Sequence, residues 1–235
     1  MRLLTVLLNP FLISAFGQAL LGIGLAKNKR LCAELLWMAY RDQRARKVWS
    51  SPYYRRTVRR LQQLIRLDLA NTRRLKKLVA RHGWPGQCLV GPIGGQAAWL
   101  LAQHADHDLV FQQHCLALLE RAVQDQEAPA ANWAYLVDRV RVEEGRPQIY
   151  GTQFHGQLQP LPIEDEARVD ERRAEVGLPP LAEYIEQMRE ARAMYPPWPA
   201  WSAEMKQLLA QLPPSKEYDA YVAQIKKHFD ATMNS

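Results

Sequence analysis

The patterns that most often mark an enzyme are missing from these 235 residues. There is no Gly-x-Gly-x-x-Gly or phosphate-loop glycine pattern, which removes the usual dinucleotide and nucleoside-triphosphate cradles. No Gly-x-Ser-x-Gly turn is present to expose a serine nucleophile. No His-Glu-x-x-His pair occurs to hold zinc on a helix. Cysteine is scarce. Cys32, Cys88 and Cys115 match no zinc signature, and their odd, small number argues against a disulfide framework, so the three thiols read as buried or idle. Internal repeats and low-complexity tracts are absent too, which argues against a solenoid.

What is present is ordinary globular material with an uneven charge. Apolar residues make up 48% and charged residues 23%, and seven Trp with nine Tyr supply enough aromatic surface for a sizeable core. The net charge of +7 hides a split. Residues 27–82 carry 17 Lys/Arg against Glu34, Asp42 and Asp68, whereas residues 83–235 carry 13 Lys/Arg against 21 acids. Such a split suits an anionic partner for the basic half or mutual neutralisation of the two halves. The second reading is favoured, because the basic stretch lacks the aromatic interleaving of single-strand binders. Nucleic acid is therefore disfavoured as a partner.

Residues 3–26 hold no charge, follow Arg2, and contain small residues at Gly17/Ala19 and Gly24/Ala26. This is the anatomy of a signal peptide or a membrane anchor. It predicts an exported or membrane-anchored protein with membrane contact through residues 3–26; the alternative is a buried N-terminal helix of a cytoplasmic one. The rest divides into an α-rich domain over 27–195 and a C-terminal helical extension over 196–235. Apolar spacings of three and four predict helices from Arg30, over 55–81, through "GQAAWLLAQHA", over "DLVFQQHCLALLERAVQ" and from "PAANWAYLVD". Asn71-Thr72 is a candidate break, and "GPIGG" a candidate loop. In "RVRVEEGRPQIYGTQF" the period changes: Val140 and Val142 alternate, a turn falls at Glu144-Gly145, and Ile149 and Phe154 resume. The expectation is an antiparallel β-hairpin or three-strand meander. The fold class is mainly α with that small β element (α+β), a helical array. Further helices follow over about 165–176, 180–194, 201–211 and 215–232.

Five ordered segments, "MAYRDQRAR", "HGWPG", "QHADHDLVFQ", "YLVDRVRVEEGRPQIYGTQF" and "PIEDEARVDERRAEVGLPPLAEY", together resemble a bacterial family known as domain of unknown function 6624, over roughly residues 31–190. The resemblance implies the mixed, mostly helical arrangement and no particular reaction. It also implies that certain polar positions belong together: Asp42, Gln43 and Arg46; Gln103, His104 and Asp106; Asp138 and Arg139; and Gln148, Tyr150, Gly151, Thr152 and Gln153.

The densest of these segments is "QHADHD". His104, His107 and His114 could share a helix face, but capping of the next helix by Asp106 or Asp108 is the more economical reading, so neither metal nor cofactor is expected. His107 and His114 read as solvated. His104 follows an apolar helix and can point inward, where each ring nitrogen needs a partner. Asp42, Asp106 and Asp138 are the acids available. A His–carboxylate pair fixes the imidazole tautomer and suits acid–base work. The sequence thus predicts a polar cleft with His104, Asp106 and Asp138 as catalytic candidates. Asp42, Gln43, Arg46, Gln103, Arg139 and the 148–153 strand would bind a small polar molecule or peptide there, with hydrolase or transferase chemistry. The rival is a structural or interaction protein in which the same residues brace helices. Oligomeric state is not encoded in any pattern here.

Overall fold

The computed structural model describes residues 23–50, 57–154, 158–193, 207–208, 210–213, 218–219 and 221–223. Most of the leader, 1–22, lies outside the described residues. Its last residues do not stand apart from the domain, since Ala26 is buried in the main core and Ile23 packs against it. Among the described residues no helix is long and apolar enough to cross a membrane.

The described chain is mainly helical. α1 spans Lys29–Ser50, α2 Val58–His82, α3 Gln87–Gln103, α4 Leu109–Gln124 and α5 Ala130–Glu143. A 3-10 turn at Glu166–Arg168 leads into α6 (Val169–Glu175), and α7 covers Leu181–Ala193. The main core draws Leu31, Leu35 and Ala39 from α1, Leu75 and Val79 from α2, Ala97, Leu101 and Ala102 from α3, Phe111, Cys115 and Leu119 from α4, and Leu136 and Val140 from α5. Their spacings of three and four place each set on one helical face, and burial of that face holds the helices together. The small side chains of Ala97 and Ala98, both fully buried, let α3 lie close to α1. Leu61, Leu64 and Ile65 of α2 form a second cluster with Leu208, Tyr218 and Tyr221 of the C-terminal extension.

Three expectations about local structure change. Asn71 and Thr72 do not break α2; both are buried inside it. "GPIGG" is not a loop but a kink within α3, where Gly91 takes φ +72°, a left-handed value open to glycine, and Pro92 starts the next helical turn. The hairpin is not formed, and no strand occurs among the described residues beyond isolated bridges between Gln148 and Ile163 and between Phe154 and Pro160. Val140 and Val142 continue α5 instead. Burial of Leu136 and Val140 in the main core overrides the strand preference of their β-branched neighbours.

Residues 148–153 are therefore not a strand with two faces. They form a loop whose backbone groups are satisfied by buried side chains. Asp138, fully buried, accepts from the N–H groups of Ile149 (2.7 Å), Tyr150 (3.0 Å) and Thr152 (2.9 Å) and from the Thr152 hydroxyl (2.9 Å). From the other side Arg172 Nε donates to the Ile149 carbonyl and Arg173 to that of Tyr150. The Gln148 amide donates to the carbonyls of Gln153 and Leu161 and accepts from the Gln153 N–H. Gly151 sits at φ +65°, and a Cβ there would come within 2.8 Å of Ile163 Cδ1.

Candidate functional site

Asp42 extends the stripe of Leu31, Leu35 and Met38 by one more turn of α1, so a carboxylate enters the interior where the pattern calls for an apolar side chain. His104 caps the C-terminus of α3, its N–H donating to the Leu100 carbonyl at 3.1 Å. Helix α3 lies on α1, which brings the imidazole to the carboxylate. His104 Nδ1 is 2.7 Å from Asp42 Oδ2. Arg46 Nε lies 3.1 Å from the same nitrogen and 3.2 Å from Asp42 Oδ1. Nδ1 cannot accept from Arg46 and donate to Asp42 at once. The shorter contact and the charge on Asp42 place the proton on Nδ1, and Arg46 Nε–H then donates to Oδ1. In the neutral ring with its proton on Nδ1, Nε2 carries the lone pair.

Asp42 is fully buried yet stays ionised. Burial pushes its carboxyl up, but the His104 imidazole and the Arg46 guanidinium outweigh burial and bring it down to about 2. Arg46 reaches onward, donating to Asp68 Oδ1 at 2.8 Å. The Tyr221 hydroxyl donates to Asp68 Oδ2 at 2.6 Å. Burial raises the Asp68 carboxyl, Arg46 opposes this, and the Asp42 charge adds to the rise. Two carboxylates on one guanidinium are thus pushed in opposite directions, a common arrangement where protons are handled. Burial, reinforced by Asp68, pushes the Tyr221 phenol well above its ordinary value, so it acts as a donor.

"QHADHD" forms the corner between α3 and α4. Asp108 is the cap of α4, accepting from the Phe111 N–H at 3.1 Å, and it also pairs with Lys76. Asp106 accepts from Arg139 at 2.8 Å and from the Gln112 amide at 3.1 Å. Arg139 also donates to Gln103 Oε1 at 2.8 Å. Burial raises the Asp106 carboxyl, but Arg139 and His104 together leave it below the ordinary value. Gln103 Nε2 is buried with no partner among the described residues. His114 is exposed, as its pattern suggests, whereas His107 is not: it is half-buried, its ring 5.4 Å from that of Tyr221. Among the described residues no three His, Cys, Asp or Glu side chains converge as metal ligands.

The predicted residues therefore fall into three groups. Asp42, Gln43, Arg46 and His104 share one network; Gln43 donates to Asp42 at 3.0 Å. Gln103, Asp106 and Arg139 lie beside it. Asp138, Gln148, Tyr150, Gly151, Thr152 and Gln153 belong to the loop described above, and among the described residues no hydrogen bond or ion pair links them to the imidazole. Sequence reasoning missed Asp68 and Tyr221. Asp68 had a signal, being a lone acid on the apolar stripe of Leu61, Leu64, Ile65, Thr72 and Leu75. Tyr221 had none, lying in a tail whose docking on α2 is a tertiary matter. A cleft of about 380 Å³ opens elsewhere, between α1 and α2, and no member of the imidazole network lines it.

A family model described as a family of unknown function (DUF6624) matches residues 29–195. The chain belongs to this family. No curated protein and no solved structure matches it. The DUF6624 span holds Asp42, Arg46, Asp68, His104, Asp106 and Arg139. Tyr221, which completes the partners of Asp68, lies beyond it.

Proposed function

We propose that His104, oriented by Asp42, is a general base for hydrolysis or group transfer on a small polar molecule or peptide. The observation that carries this reading is the 2.7 Å pairing of His104 Nδ1 with an ionised, fully buried Asp42, which fixes the tautomer and leaves Nε2 to take a proton from water or a hydroxyl. The imidazolium formed would be balanced by Asp42, and the proton would pass to the leaving group. Arg139, whose side chain is partly exposed, suits an anionic or carbonyl-bearing substrate. Asp106 and Arg139 would position; Asp138 is assigned to the 148–153 loop instead.

One observation favours the rival reading, in which the network only braces helices: the 380 Å³ cleft is not at His104. Diethyl pyrocarbonate separates the two, because it acylates a neutral imidazole nitrogen that solvent can reach. Peptide mass spectrometry on the native protein should find His104 modified, with exposed His114 as the internal reference. A panel of chromogenic esters, amides and phosphoesters would then lose any turnover in His104→Ala. Modification of His104 only after denaturation would leave the bracing role.

A further inference from the structure

The cleft between α1 and α2 lies outside the imidazole network and has a distinct chemistry. Trp37, Tyr40, Arg41 and Arg44 reach it from α1, and Arg60 and Gln63 from α2; among the described residues no Asp or Glu lines it. Trp37 is 59% exposed. It stacks on Tyr40 with ring centroids 5.6 Å apart and planes at 22°, and both rings line the cleft. Among the described residues neither Arg41 nor Arg44 is paired with an acid. The aromatic interleaving that a linear reading did not find arises on folding, because Trp37, Arg41 and Arg44 share a helix face spaced by four and three.

We propose that this cleft binds a nucleotide, its phosphate held by Arg41 and Arg44 and its base stacked on Trp37. Guanidiniums match phosphate oxygens bidentately, and base–aromatic stacking is tolerant of base identity. A cavity of about 380 Å³ is of the size that holds a small ligand. Its concavity suits an inserted ring better than a lipid surface, against which a protruding indole would be expected. A free nucleotide and a unit of a single strand share this chemistry.

The test is fluorescence anisotropy on the full chain at low salt, with an etheno-adenosine monophosphate arm, a labelled short single-stranded oligonucleotide arm and an anionic vesicle arm. Binding of either nucleotide probe is expected; which one binds tells free from strand-borne ligand. Trp37→Ala should weaken it about tenfold or more, and the Arg41→Glu/Arg44→Glu pair about a hundredfold, with melting temperatures unchanged because all three side chains sit at the surface. Arg168→Glu, outside the cleft, and His104→Ala should bind as wild type, which keeps this result separate from the catalytic reading. Failure of both nucleotide probes to bind overturns the proposal. So does binding indifferent to Trp37→Ala, or vesicle binding alone that the arginine substitutions abolish.

Discussion

Asp42 and Asp138 are both wholly removed from solvent, and their partners differ in kind. Asp138 spends its oxygens on three backbone N–H groups and one hydroxyl of a single loop. Asp42 spends its oxygens on a glutamine, an arginine and an imidazole, and the imidazole can take up and release a proton. Backbone donors cannot change state, so a carboxylate consumed by them fixes a conformation and does little else. A carboxylate held by side chains leaves those side chains oriented and chemically available. Burial alone does not separate a structural acid from a functional one; the nature of the donors does.

The sharpest test of this contrast is Asp138→Ala. It would leave four buried donors without an acceptor, each worth about 1–3 kcal/mol when unsatisfied. A loss of about 4 kcal/mol in urea unfolding is expected, near the upper end for single substitutions, with little change in the acylation of His104. If Asp138→Ala unfolded no more easily than wild type, the loop would not depend on that carboxylate. Next in size is Gly151→Val. Its φ of +65° costs a side chain about 1–2 kcal/mol, and the overlap with Ile163 adds the penalty of overpacking. A loss of about 3 kcal/mol is expected, and a neutral result would mean that the turn can rearrange.

The helices and the principal polar residues were readable because helical burial leaves a period of three and four, and because a polar side chain on such a stripe is conspicuous: Asp42 after Leu31, Leu35 and Met38 is the example. The hairpin was misread for a physical reason. Val140 and Val142 alternate like a strand, but only Val140 enters the main core, as part of a helical face with Leu136. "QIYGTQF" looked like a binding face because it is rich in hydrogen-bonding groups. Those groups instead replace a sheet ladder, with Gln148 and Asp138 supplying the bonds that a neighbouring strand would have made. Asp68 was legible and overlooked, and the docking of Tyr221 beside it depends on the fold.

The smallest expected effect bears on Asp42 itself. Its folded-state carboxyl lies at about 2, below the ordinary 3.8, so the folded protein resists protonating it. The resulting stabilisation is fully present above the unfolded value and is lost as pH falls from about 4 towards 2, in all about 2 kcal/mol. Asp68 and Asp138 are shifted the other way. The folded state takes up their protons first, so they add a little stability as pH falls through their raised values. Asp106 and His107 are lowered and lose stability in acid, so the wild-type midpoint sums opposing effects and the Asp42 part is read from the comparison with Asp42→Asn. Asp42→Asn keeps an acceptor for His104 Nδ1–H but has no charge to lose. Its midpoint should be lower at neutral pH and flatter below pH about 4, converging on wild type in acid. An acid limb as steep in Asp42→Asn as in wild type would mean that Asp42 is not the charge that holds the imidazole, and the distinction between the two carboxylates would fail at its more consequential member.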